Sequence, residues 1–149
     1  MSTESLAGTG PSVATRLRLV WHWARKQIYT EVCAAGFDDL NRAHVAILRY
    51  PGLEGRRPTE IADDMQITKQ SVNELIGYLE RQGYLRRVVD PDDSRARIIH
   101  LTPRGQALER TAFAAARNAE LTLADMLGRQ RFARFRKDLD ELVRLTTDK

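Results

Sequence analysis

The sequence predicts a mainly α fold of the α+β kind, with eight elements in the order α-α-α-α-β-β-α-α. Three observations carry that prediction. Val72, Leu75, Ile76 and Leu79 recur at i, i+3, i+4 and i+7, the spacing of one helix face. Before them, Pro58 opens a short helix and Gln66-Ile67 makes a sharp turn. After them, two β-branched-rich segments, 85–89 and 96–101, flank the acidic loop Asp90-Pro91-Asp92-Asp93-Ser94 and read as a hairpin. Two helices, a turn and a hairpin make a winged helix-turn-helix. The stretch 61–101 is therefore expected to be the unit that the rest of the chain carries.

The first twelve residues are small and polar and read as a disordered lead-in. Residues 13–149 then form a single domain, long enough to bury a core. A helix over about 13–35 has no internal Gly or Pro, and places Leu17, Val20, Trp21, Ala24, Ile28 and Val32 on one face. Leu19 and Trp23 lie on the opposite side. A helix apolar on two sides must bury both, either under helices of its own chain or, more simply, against a second subunit. Gly36 suits a left-handed cap. Asn41 is an N-cap for a helix through Tyr50, with Ala43, Ile47 and Tyr50 inward and Val45 and Leu48 flanking, before Pro51-Gly52 ends it.

Pro58, Thr59 and Glu60 make the first turn of the next helix, and Ile61, Ala62 and Met65 face inward. Thr68 caps the helix that follows, its hydroxyl free to accept a backbone N–H, and Gly83 closes it. Thr102 and Pro103 open a long Ala-rich helix to about Leu127, with Leu108, Ala112, Ala115 and Leu121 inward. After Gly128 a last helix repeats Phe132, Phe135, Leu139, Leu142 and Val143 at helical spacing. A reading lobe at about 41–101 is thus bracketed by helices at about 13–35 and 103–147, which suit a dimer interface.

At 42% hydrophobic and 30% charged residues the composition is that of an ordinary globular protein, and a net charge of +4 permits an anionic partner without demanding one. No run approaches a membrane span, and no basic segment with an apolar core opens the chain. The single Cys33 has no intramolecular partner and fits a reducing compartment, so the expected location is cytoplasmic. There is no nucleophile elbow, phosphate-binding Gly loop or HExxH, and the pairs Asp63-Asp64 and Asp92-Asp93 suit a solvated helix face and a turn. No enzyme, cofactor or metal is expected; His22, His44, His100 and Cys33 lack ligand spacing. Trp21, Trp23, Tyr29 and His44 read either as a small-molecule pocket or as core aromatics at helical spacing.

The face of the 68–81 helix opposite its apolar stripe holds Gln70, Asn73, Glu74, Gly77 and Arg81. Side-chain amides can pair bidentately with adenine, so Gln70 and Asn73 are the candidate base readers; the alternative is two solvated polar residues. Thr68, Lys69 and Ser71, with the amides of the helix start, suit phosphate. Arg95 near the hairpin tip suits a narrow minor groove, or else an ion pair with Asp93. Arg86, Arg87 and Arg97 read as strand-surface charges, or else as contacts to phosphate.

At these residues the chain resembles the MarR family of dimeric winged-helix regulators. The resemblance covers about 21–145. It is most specific where Asp90-Pro91-Asp92-Asp93-Ser94-Arg95-Ala96-Arg97 runs into Leu101-Thr102-Pro103-Arg104-Gly105, similar to the family's acidic turn, Asp-x-Arg and Leu-Thr-x-x-Gly. Ser94 departs from the family, where a further Arg is common. The resemblance implies that Thr68, Lys69, Gln70, Ser71 and Asn73 approach double-stranded DNA. It also implies that Arg95 enters the minor groove with Asp93 orienting its guanidinium, and that Arg97 supports the wing. It further implies a homodimer and a small-molecule or redox signal at the junction of the two regions. The expected function is a sequence-specific, ligand-responsive repressor on a pseudo-palindromic operator. The alternative is a winged-helix protein-interaction module, which the balance of Lys69 and six Arg against five acids over 67–105 slightly favours.

Overall fold

In the computed structural model, which describes residues 10–48 and 55–147, the helices and strands follow the expected order. Helix α1 spans Val13–Ala34. Ser12, the end of the expected lead-in, is its N-cap, and its hydroxyl accepts the Thr15 N–H at 3.2 Å. Gly36, at φ 95°, turns the chain out of the helix, as its lack of a side chain permits.

Helix α2 spans Arg42–Leu48 and is capped by Asn41, whose Oδ1 accepts the N–H groups of Ala43 at 2.9 Å and His44 at 3.0 Å. The expected continuation to Tyr50 and the Pro51-Gly52 stop lie outside the described residues. Its buried side is His44, Val45, Ile47 and Leu48, while Ala43, expected inward, is exposed. The helix docks on α1, α4 and α5 at once, so its larger apolar side chains take the core.

Helices α3 (Pro58–Met65) and α4 (Lys69–Arg81) form the helix-turn-helix. Gln66 adopts a left-handed φ of 56° between them. Thr68 Oγ1 then accepts the Ser71 N–H at 3.0 Å, the expected cap. Strands β1 (Leu85–Asp90) and β2 (Asp93–Leu101) pair antiparallel from Leu85↔Leu101 to Asp90↔Asp93. The hairpin is longer than its residue pattern suggested. Asp93, Ser94 and Arg95 are strand rather than loop, and only Pro91-Asp92 turn, with the Asp92 N–H held by Asp90 Oδ1 at 2.9 Å. On the outer side of β2, Gly55 donates to the Ile99 carbonyl at 2.6 Å and Ile99 donates back to Arg56 at 3.0 Å.

Helices α5 (Pro103–Leu127) and α6 (Arg129–Thr147) follow, with Gly128 at φ 90° between them. One apolar core joins helices α1 to α5 and the hairpin: Val32, Ile47, Leu48, Ile61, Val72, Ile76, Leu79, Tyr84, Ile99 and Leu108 are fully buried. Ala112, Ala115 and Ala119 keep α5 narrow where α1 packs along it. Two expectations fail here. Leu121 points outward, 51% exposed, and on α1 only Ile28 and Val32 of the expected apolar face are buried. Leu17, Val20 and Trp21 stand in solvent, and no residue of α6 is buried. A single copy of the chain leaves that end of the molecule apolar and uncovered.

Candidate nucleic-acid interface

The reading helix exists as a surface because its other side is sealed. Val72, Ile76 and Leu79 have no exposure, which fixes α4 in rotation and turns Lys69, Gln70, Asn73 and Glu74 to solvent. The Thr68 cap leaves the amides of the first turn at the exposed end of the helix, where their partial positive charge suits an anion. Thr68 and Ser71 also share a hydroxyl hydrogen bond of 2.8 Å. Gln70 Nε2 donates to Glu74 Oε1 at 3.0 Å. Asn73 Nδ2 donates to the Lys69 carbonyl at 3.0 Å.

Arg87, set aside as a surface charge in the sequence, is drawn onto this helix. Its Nη1 donates to Asn73 Oδ1 at 3.3 Å and its Nη2 to the Asn73 carbonyl at 3.4 Å. Its Nε lies 3.3 Å from Glu80 Oε2.

The wing is braced rather than free. Arg57, at the start of α3, donates from Nε and Nη2 to Asp90 Oδ2 at 2.7 Å and 2.6 Å. The Asp90 carboxylate is almost wholly buried, and the Asp92 backbone amide, then the Arg57 guanidinium, hold its pKa below the ordinary carboxylate range. Asp93 serves differently from its expected part. Its Oδ1 accepts the backbone N–H of Arg95 at 3.1 Å, and its Oδ2 lies 3.9 Å from Arg57. It shapes the strand entry instead of orienting the Arg95 guanidinium. Arg97 Nη1 donates to the carbonyls of Ser94 at 3.2 Å and Ala96 at 3.0 Å. Arg95 itself is exposed, near the tip.

Behind the reading helix, Asp39 of the α1–α2 connector ties together α4, the α4–β1 turn and α5. Its carbonyl accepts the Tyr78 hydroxyl, and its carboxylate accepts the Tyr84 hydroxyl at 2.6 Å and Arg104 Nη2 at 2.9 Å. Arg104 also donates to the Gln82 carbonyl at 2.7 Å and lies 4.2 Å over the Tyr84 ring. Burial, then the Asp39 hydrogen bond, pushes the Tyr84 phenol well above its usual pKa, so it stays a donor. Sequence spacing offers no signal for contacts between residues up to 65 positions apart.

The four aromatic candidates for a ligand pocket are not brought together. Tyr29 donates to the Leu40 carbonyl at 2.9 Å. His44 stacks on Tyr78 at 4.1 Å and 3°, and burial lowers its pKa against the opposing pull of Asp39. Trp21 is exposed beside Arg25. Trp23 lines a separate shallow apolar groove of about 280 Å³ with Leu19, Val20, Leu123 and Met126. Among the described residues no group of His, Cys, Asp and Glu could hold a metal ion, and no helix is long and apolar enough to cross a membrane.

Comparison with known proteins agrees with this architecture. Residues 38–96 match the model of the MarR family. The HTH-type transcriptional regulator PetP of Rhodobacter capsulatus is 31% identical over 106 residues, 70% of this chain. The chain spans 64% of that relative's length. Streptococcus pneumoniae FabT, solved in complex with DNA, superposes with a TM-score of 0.70 at 22% identity, covering 91% of this chain and 96% of that one. A Mycobacterium tuberculosis MarR family protein in complex with salicylic acid gives a TM-score of 0.70 at 24% identity, covering 90% and 98%. These two likenesses establish the winged-helix fold.

Proposed function

This chain belongs to the MarR family, and from that premise we propose that it is a homodimeric, sequence-specific DNA-binding transcriptional regulator. One observation carries the reading: α4 buries Val72, Ile76 and Leu79 of its apolar stripe and presents Lys69, Gln70, Asn73 and Glu74 to solvent beside a braced two-stranded wing. In this mechanism α4 enters the major groove of duplex DNA. Thr68, Lys69, Ser71 and the first-turn amides hold phosphates, while Gln70 and Asn73 face base edges. Arg95 enters the flanking minor groove, where its guanidinium meets a concentrated negative potential. Asp93 and Arg97 shape the strand that presents it.

The dimer follows from the uncovered apolar end. Leu17, Leu19, Val20, Trp21, Leu142 and Val143 are each at least about two fifths exposed in one copy, and a second copy is their simplest cover. Two-fold symmetry then makes the operator pseudo-palindromic, with half-sites about 10 bp apart. A dimer that sits on a promoter in place of the transcription machinery acts as a repressor, and the reading is of a cytoplasmic repressor of that kind. Release by a small-molecule effector is supported by the mycobacterial relative that holds salicylic acid. The effector's expected place is the junction between the reading lobe and the dimerisation helices.

A second reading, a winged-helix module that binds protein and not specific DNA, is favoured by the near balance of charge over 67–105. A salt series on duplex binding separates the two. Sequence-specific reading predicts an affinity that falls steeply with salt and a preference that survives competitor DNA. A protein that ignores its own upstream region at low salt leaves only the second.

A further inference from the structure

We infer that Arg87 is a specificity-determining positioning residue of the reading face, which acts by holding the Asn73 amide in one orientation. The inference rests on the DNA-reading proposal above. Arg87 belongs to the first wing strand, yet its backbone N–H donates to Glu80 Oε1 at 3.3 Å, and its buried Nε, which makes no hydrogen bond, forms an ion pair with Glu80 Oε2 at 3.3 Å. The other end of the same guanidinium donates to Asn73 Oδ1 and to the Asn73 carbonyl. Residues 73 and 80 are two turns apart, about 10 Å along a helix axis, so one side chain clips the wing to α4 at both places. The Arg87 side chain is 28% exposed, a setting in which such contacts are less screened than on an open surface.

The consequence lies in the amide. Asn73 is exposed on the same face as Gln70, and a free side-chain amide can turn over, exchanging its oxygen for its NH2. A guanidinium has only donors, so it pairs with the oxygen and rejects the other orientation. The NH2 then lies toward the Lys69 carbonyl, its 3.0 Å acceptor, with one N–H and one oxygen lone pair left for a base edge. Exchanging the two would present the opposite donor–acceptor order to the groove and so match a different base. Lysine cannot substitute, because a single ammonium lacks the planar fork that reaches Glu80 and Asn73 together.

The test is selection of duplexes from a random pool by the full-length chain and by Asn73→Ala, Arg87→Lys and the double variant. Thermal unfolding checks that each is folded. Asn73→Ala is expected to flatten the preference at one base position about five-fold or more. Arg87→Lys is expected to flatten the same position by a similar factor, with no further loss in the double variant and no change on random-sequence competitor. Should Arg87→Lys fail to fold, Glu80→Gln, which weakens the other end of the clip, is expected to flatten that position. A folded Arg87→Lys or Glu80→Gln with the parent's profile overturns the inference, as does an additive double variant or a uniform loss at every position. Those outcomes leave a parent with a clear preference and so spare the DNA-reading proposal. A parent that selects no sequence removes both.

Discussion

A methyl group added at Gly105 tests how the wing is joined to the helix that follows it. A Cβ built there would lie 1.9 Å from the Tyr84 carbonyl oxygen, 3.0 Å from its carbon and 3.3 Å from Leu101 Cδ2. A carbon and a carbonyl oxygen need a little over 3 Å, so α5 must retreat by more than 1 Å or the backbone at Tyr84 must move. Neither is cheap. The same carbonyl accepts the Thr102 N–H at 3.1 Å, and the Thr102 hydroxyl caps α5 through the Gly105 N–H at 3.1 Å. Overpacking in a tight core costs about 1–3 kcal/mol, and the strained Thr102 hydrogen bonds add about 1 kcal/mol more. The lower chain entropy of alanine returns at most about 1 kcal/mol. Gly105→Ala is therefore expected to destabilise by about 2–3 kcal/mol, lowering the urea midpoint by about 1 M or more at fixed protein concentration. Gly77→Ala is the control. Its Cβ would meet only Arg81 Nη1, the movable end of a side chain, at 3.4 Å, so that variant should match the parent or gain up to about 1 kcal/mol. A Gly105→Ala protein as stable as its parent, or two variants that move in the same direction, would refute the steric argument.

Other outcomes follow from the same geometry. Arg95→Ala should weaken binding to every duplex by about 1–3 kcal/mol in fluorescence anisotropy, whereas Gln70→Ala should relax preference at one base position; an Arg95→Ala protein with parental affinity removes the wing from the mechanism. Asp90 has a depressed folded pKa, so its contribution to stability is present above the unfolded carboxylate value near 4 and is lost as pH falls through the folded one. Asp90→Asn should accordingly lower stability at neutral pH and shrink the gap from the parent below about pH 4; a gap unchanged between pH 7 and pH 3 speaks against the Arg57 pairing. Trp23→Asp, placed on the groove with Leu19 and Met126, should shift the chain from dimer to monomer in light scattering, and a parent that is itself monomeric would leave the exposed apolar end without a cover.

Much of the architecture was legible because its causes are local. Ser, Thr and Asn accept backbone N–H groups within three residues, so Asn41, Thr68 and Thr102 announced their helices in the sequence. The 3.6-residue stripe of Val72, Ile76 and Leu79 gave α4 its two faces in the same way. Where the reading slipped, a contact from elsewhere prevailed over local preference. Aspartate is a poor strand residue, yet Asp93 joins β2 because Asp90 pairs with it and Arg57 lies against both carboxylates. Leu121, expected inward, falls about 160° around the helix from Ala119, whose side α1 covers, and so stands in solvent.

The sequence by itself determined the elements, their order, the turn residues between them and the polar face of the reading helix, since each depends on neighbours a few positions away. Only the tertiary structure decided which polar residues work together. It drew Arg87 onto Asn73 and Glu80, fixed Asp93 to a backbone amide, tied Asp39 to Tyr84 and Arg104, and set Gly105 against the Tyr84 carbonyl. Those pairings join residues brought close by packing, and hydrogen bonds act over about 3 Å of space whatever the distance along the chain.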